Sequence, residues 1–365
     1  MSRIARSLVR VPSWRTEHAA SFLPPICNKL LHKAQLSVMG VGGPNRRTDF
    51  HLEAGAEFFW QQRGGMELPI VQQGRRRLVR IQEGDVFLLP PRMPHSPQRD
   101  ADSFGIVVER ERALRELDTL RWYTDFDTCQ TVLWEQSFHC ADLGRDLVPV
   151  VEAFKSSDEF KSGLPSGAPR APPPTGAVIQ DEDSEAPVPF SLLGKPRTRI
   201  FFDTSGTHHF FGRHAIFGDT PFGPCATLPV LTKTPRPIVS HLSLAATTPP
   251  TPQPTPTPTP PSTPGRLAEF APSLAAGKEI QLFEGVSSDL DVVAHGGGTH
   301  AAYAPADEEV WLYQVQGQAR VYSGLQDEAL VLGADSCLVV PRGVGYSIER
   351  EGGSVGLTVK LKPQE

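Results

Sequence analysis

Two histidines and a carboxylate, His51, Glu57 and His95, are the residues of this chain best suited to chemistry. His51 precedes a tight Glu53-Ala54-Gly55 corner, Glu57 opens the run EFFWQQ, and His95 follows a run that ends on paired prolines. Two imidazoles and one carboxylate on one face of a divalent ion leave its other positions open, so a substrate and dioxygen can bind the same centre. Singly, each residue is more often a solvated turn residue. The joint pattern His51, Glu57, Gly64, then Gly84, Pro90, His95 is what points to a metal site. Three charges flank it: Arg47 four residues before His51, Arg99 four after His95, and Glu109 at the end of the next β-prone run. An arginine beside an open metal position receives a carboxylate, because its planar fork engages both oxygens. The ligand set alone leaves the metal open, since it would hold Mn, Co or Ni as well as Fe. A second cluster, His208, His209 and His214, has no carboxylate or cysteine placed to complete a shell and reads as a loop without metal.

Strands must hold these residues. Short β-prone runs at 57–62, 66–72, 77–81, 86–89 and 104–109 are separated by Arg63-Gly64-Gly65, Gln73-Gly74, Glu83-Gly84-Asp85 and Pro90-Pro91. Many short strands punctuated by Gly and Pro imply a sandwich or barrel. Over 142–161, Leu147, Val150, Val151 and Phe154 share one helical face, which predicts a helix docked outside the barrel. Residues 57–64 recur as 310–317, and 87–95 as 338–346 with the prolines matched within one residue. Two copies of one barrel follow. The second copy has Val310 where the first has Glu57 and Tyr346 where it has His95, so it cannot rebuild the triad. It is expected to be a structural partner, covering a face that a second subunit would otherwise cover, which predicts a monomer.

The chain has 365 residues, and 36 Lys+Arg against 41 Asp+Glu give a net charge of −5. That balance argues against a nucleic-acid binder, which needs a basic face. No run reaches the roughly 18 apolar residues of a membrane span. Five scattered cysteines (Cys27, Cys129, Cys140, Cys225, Cys337) make neither a disulfide framework nor a tetrathiolate site, and fit a reducing, cytoplasmic setting. Residues 1–20 carry Arg3, Arg6, Arg10 and Arg15; they resemble a weak transit peptide but are short and cut by Pro12, and a disordered extension is expected. The catalytic barrel is assigned to 21–163. A Pro-rich, largely disordered insertion is assigned to 164–266, with TTPPTPQPTPTPTPPSTP at 247–264 as a polyproline-II spacer. The second barrel is assigned to 267–365.

The spacing of His51, Glu57 and Gly64, and of Gly84, Pro90 and His95, resembles the two motifs of the cupin superfamily. Many cupins carry His-x-His in the first motif; here Asp49 and Glu53 flank a single histidine. The stretches 24–30 (PPICNKL), 42–45 (GGPN), 87–99 (FLLPPRMPHSPQR) and 107–110 (VVER) resemble the 3-hydroxyanthranilate 3,4-dioxygenase family over most of 21–163. Residues 276–362 resemble the degenerate second cupin of its eukaryotic form. The insertion and the Thr/Pro tract are departures. The resemblance implies a mainly β fold: two cupin (double-stranded β-helix, or jelly-roll) barrels in one chain, with a few peripheral helices and Pro-rich linkers. It implies Fe(II)-dependent opening of the 3-hydroxyanthranilate ring by O2. The product, 2-amino-3-carboxymuconate semialdehyde, cyclises to quinolinate on the route to NAD. Carried over by motif position, His51, Glu57 and His95 would hold the iron. Arg99 would grip the substrate carboxylate, Glu109 would hydrogen-bond the substrate, Arg47 would sit near dioxygen, and Asn28 would line the pocket. Two rival readings are a non-catalytic bicupin with a relic site and another cupin enzyme, such as a thiol or acireductone dioxygenase. A relic would have lost the triad and arginines, and the other enzymes would not need Arg47, Arg99 and Glu109 together.

Overall fold

A computed structural model of the chain describes residues 3–24, 27–167, 171–194, 278–298 and 300–363. The cluster of His208, His209 and His214, and the Thr/Pro tract, lie outside the described residues.

In Leu36–Gly42 (LSVMGVG) and Asp85–Leu89 (DVFLL) every residue is buried. A strand buried on both faces needs cover from two sides, and two barrels back to back supply it. The first barrel has a six-stranded antiparallel sheet in the order Phe190–Ser191, Asp85–Leu89, Glu57–Arg63, Phe104–Arg110, Leu36–Gly42, Asn28–Lys33. Two three-stranded sheets complete it, one of Val132–Phe138, Asp118–Tyr123 and Phe50–Leu52, the other of Arg75–Ile81, Met66–Gln72 and Gln98–Arg99. Its interior is filled by Met39, Phe59, Leu68, Ile70 and Phe87.

The second barrel repeats this plan. Its six-stranded sheet runs Val9–Arg10, Ser336–Val340, Val310–Gln316, Val355–Leu361, Leu290–Gly296, Glu279–Gln281, and it is completed by His300–Tyr303, Tyr346–Arg350, Ala319–Ser323 and Leu330–Leu332. The copies agree at the level of register: Glu57 pairs with Leu89 as Val310 pairs with Val340. The far faces of the two large sheets share one apolar core, with Phe58, Ile106 and Val108 from the first and Trp311, Leu357 and Val359 from the second. Trp60 meets Tyr313 edge-on at 4.6 Å between ring centroids. Arg110 adds a polar tie, with Nε 2.7 Å from Asp289 and both terminal nitrogens 2.7 Å from Glu116. The barrels therefore form one compact unit rather than two separable domains.

Three expectations need correction. The N-terminal extension is ordered from Arg3 onward. Helix Arg3–Arg6 sets Ile4, fully buried, into the second barrel's core. Val9–Arg10 adds an edge strand to Ser336–Val340, and helix Val11–Glu17 brings Trp14 against Phe22. An edge strand draws its stability from a distant partner, which local composition does not show. Part of the 164–266 insertion is also built into the fold. Phe190–Ser191 pairs with Val86 and Asp85, and Ala186 and Leu192 are buried. Finally, the helix expected over 142–161 is two helices, Leu143–Ser156 and Asp158–Ser162. Ser157 between them is extended (φ −70°, ψ 160°), and its hydroxyl caps the second by accepting from the Phe160 amide.

Candidate metal centre

Strand Phe50–Leu52 meets residue 95 in a one-residue antiparallel bridge, so the two histidines stand opposite each other with ring centroids 5.5 Å apart. Glu57, the first residue of its strand, lies across the sheet from Glu109. The ligand atoms of His51, Glu57 and His95 all fall within 4.8 Å of one another, and all three residues are buried. His95 Nδ1 lies 3.1 Å from the Met93 carbonyl. A carbonyl only accepts, so Nδ1 donates to it and Nε2 is left to face Glu57. That Nε2 is 2.7 Å from Glu57 Oε1, yet Oε1 accepts no hydrogen bond. A buried nitrogen and a buried carboxylate oxygen this close fit a positive charge between them, a proton or a metal ion. His51 Nε2 is bonded at 2.9 Å to Oδ2 of the fully buried Asp118. A carboxylate behind a ligating imidazole fixes its ring and tautomer.

Behind the triad sits Arg112. Its Nη1 is 2.6 Å from Glu109 and its Nη2 3.1 Å from Asp118, and it also pairs with Glu53. One cation thus serves three buried carboxylates, with Glu57 close by. Burial pushes the Glu53 and Glu109 carboxyls up; Arg112 opposes this, and the neighbouring carboxylates add to it. Burial acts on Glu57 too, but His95 outweighs it and holds that carboxyl well below the usual carboxylate range. Asp118 is likewise held low, its burial overcome by the hydrogen bond to His51.

Arg99 is 5% exposed, and its Nε has no acceptor. Burial lowers its pKa to about 10, although Glu57 pulls the other way. A buried guanidinium with an idle donor is a receptor for an anion. Arg47 pairs with Asp49, its Nε 3.2 Å from Oδ1, and its main chain is clamped by the Gln98 side chain. A cavity of about 580 Å³ is lined by Asn28, Lys33, Met39, Glu109, Arg112 and Cys140 among others. The triad does not line it; Glu109 is where cavity and carboxylate cluster meet.

Residues 3–155 match the family model described as 3-hydroxyanthranilic acid dioxygenase. The 3-hydroxyanthranilate 3,4-dioxygenase of Rattus norvegicus is 37% identical over 355 residues, covering 97% of this chain and 96% of its own. The chain belongs to the 3-hydroxyanthranilate 3,4-dioxygenase family. Proteins of the same name from Mus musculus and Homo sapiens are 37% and 35% identical, each over 97% of this chain and 96% of their own. Among solved structures, a cupin 2 conserved barrel domain protein from Leptotrichia buccalis aligns over 99% of this chain and 98% of its own at 8% identity, with a TM-score of 0.43.

In this member of the dioxygenase family, His51, Glu57 and His95 are gathered as their spacing suggested. Glu109 and Asn28 share the cavity, while Arg47 and Arg99 stand on the side of Glu57, within electrostatic reach of it. Sequence reasoning missed Arg112, Asp118 and Glu53. The run ERERALRELD holding the first two reads as a solvated charged loop, and nothing local marks Arg112 as 7% exposed at its side chain. Glu53 was legible only as part of a corner.

Proposed function

We propose that this chain is a 3-hydroxyanthranilate 3,4-dioxygenase in which His51, Glu57 and His95 hold Fe(II). The ring-opened product is 2-amino-3-carboxymuconate semialdehyde, the precursor of quinolinate on the route to NAD. The observation that carries this reading is the orphaned Glu57 Oε1, 2.7 Å from His95 Nε2, on the same side of the barrel as a buried Arg99 with an idle donor. Iron, when bound there, supplies the exchange of electrons between the aromatic ring and dioxygen that spin rules otherwise make slow.

The side chains supply binding and orientation. Arg99 takes the substrate carboxylate, and its burial makes that bond strong while fixing the ring's angle. Glu109, which lines the cavity, hydrogen-bonds the substrate from a position set by Arg112. Arg47, tethered by Asp49 and Gln98, places positive charge where negative charge grows on oxygen. Asn28 lines the way in. Met39, Phe59 and Phe87 keep bulk water out of the barrel.

The second barrel covers the outer face of the catalytic sheet, which supports a monomer. No helix among the described residues is long and apolar enough to cross a membrane. A cytoplasmic enzyme without nucleic-acid or membrane partners fits the near-neutral charge and the scattered cysteines. The test is to add Fe(II) and 3-hydroxyanthranilate to the protein in air and follow the absorbance of the ring-opened product. No new chromophore from iron-loaded protein rejects the reading. Arg99→Ala is expected to raise KM by about tenfold or more, as befits one charge-assisted bond, with iron content unchanged.

A further inference from the structure

The second barrel holds a buried arginine at the register of Arg99. Arg99 pairs with Met66, the first residue of its strand, and Arg350 pairs with Ala319, the first residue of the matching strand. Each arginine is 5% exposed, and each has a buried Nε with no acceptor; in Arg350 Nη1 is idle as well. Leaving such donors unpaired in a core is costly, so native proteins rarely do it without a ligand, ion or water to accept from them.

The surroundings have changed in a consistent way. The bridge that pairs His51 with His95 in the first barrel pairs Tyr303 with Tyr346 in the second, and these rings stack at 4.7 Å. Asn28, which pairs with Val41, is matched by Glu279, which pairs with His295. Glu279 accepts from the Tyr303 hydroxyl at 2.9 Å and lies 3.1 Å from His295 Nδ1. His295 Nε2 bonds the Thr358 hydroxyl at 2.7 Å. Glu279, Tyr303, His295 and Thr358 are thus bonded to one another, while Arg350 Nε and Nη1 have no acceptor. Tyr303 and Glu279 are partly exposed, so the cluster reaches the surface.

We propose that the second barrel binds a small aromatic carboxylate, with Arg350 taking the carboxyl group beside the Tyr303–Tyr346 stack. The tyrosines offer an apolar ring face, and with no ligand triad the site binds without catalysing. The choice of a carboxylate rests on the reading of Arg99 as a carboxylate receptor.

The experiment is a calorimetric titration of the full-length protein with anthranilate, which has the carboxylate and ring but no 3-hydroxyl. Two equivalents per chain are expected. Arg350→Met should remove one, leave the other, and keep turnover of 3-hydroxyanthranilate within about twofold. Arg99→Met should remove the other. Gly356→Ala is the second variant, because a Cβ there lies 2.6 Å from Arg350 Nε and must displace it; at least a tenfold loss at the second site is expected. A single equivalent in the parent, abolished by Arg99→Met and untouched by Arg350→Met and Gly356→Ala, overturns the inference and leaves the catalytic reading standing. Binding lost with Arg350 but indifferent to Arg99 keeps the inference and removes the role given to Arg99.

Discussion

His51 and His95 hold each other through the main chain: each donates its amide N–H to the other's carbonyl, at 2.8 and 2.9 Å. The placement of both rings is thus set by backbone pairing, and only their rotation is left to side-chain partners. For His95 that partner is the Met93 carbonyl; for His51 it is Asp118. Asp118→Asn keeps the shape and removes the charge behind His51. Iron affinity is expected to fall by about 10- to 100-fold, the usual effect of losing such an outer partner. Competition with a chromophoric chelator measures it without recourse to activity. An affinity equal to the parent's would mean that Asp118 serves only Arg112.

Arg112 is the sole cation in direct contact with Glu53, Glu109 and Asp118 among the described residues. Removing one member of a buried ion cluster strands the others, at about 3–5 kcal/mol. Arg112→Met should therefore lower stability by that amount in urea denaturation. Arg112→Lys should recover only part, since one ammonium lacks the planar fork that reaches three carboxylates. A loss under about 1 kcal/mol would show that the carboxylates simply take up protons and need no cation.

The triad was legible because its residue types, its glycines and its prolines recur at fixed offsets, and the repeat was legible because strand-ending turns are local chemistry. Glu57 and His95 could be paired on paper for that reason. Arg112 and Asp118 could not. Their burial depends on a loop folding back under the barrel, and charged residues in a charged run give no local sign of it. Trp311 and Phe58 read as ordinary barrel residues, yet they belong to a core shared between the copies. That sharing makes strands such as Leu36–Gly42 apolar on both faces, where a free-standing barrel would alternate.

Ile4 illustrates the same limit at the N-terminus, and it can be tested. It is fully buried among Val310, Leu338, Val340 and Ile348 of the second barrel, at the end of a segment whose arginines suggest solvent. Truncating a buried isoleucine to alanine costs about 2–5 kcal/mol through lost transfer energy and the cavity left behind. Ile4→Ala is expected to destabilise the chain within that range, measured by urea unfolding, whereas the exposed Arg3→Ala should change it by less than about 0.5 kcal/mol. Equal, negligible effects would mean that the segment does not dock in solution.

The acid limb of stability should report on His295. It is 4% exposed, and burial, aided by the positive charge of Arg350, lowers its pKa to about 4 from 6.5. Between those values the unfolded chain binds the proton and the folded chain does not. Stability from this group is therefore complete above about pH 6.5 and is lost as pH falls toward 4. At about 1.4 kcal/mol for each pK unit, the whole window amounts to on the order of 3 kcal/mol. His295→Gln carries no proton to bind. It should be less stable than the parent at pH 7 by an amount that shrinks as the pH is lowered to about 4.5. Urea midpoints across that range measure the difference. A gap between the two proteins that stays constant with pH would mean that His295 binds its proton equally well in the folded and the unfolded chain.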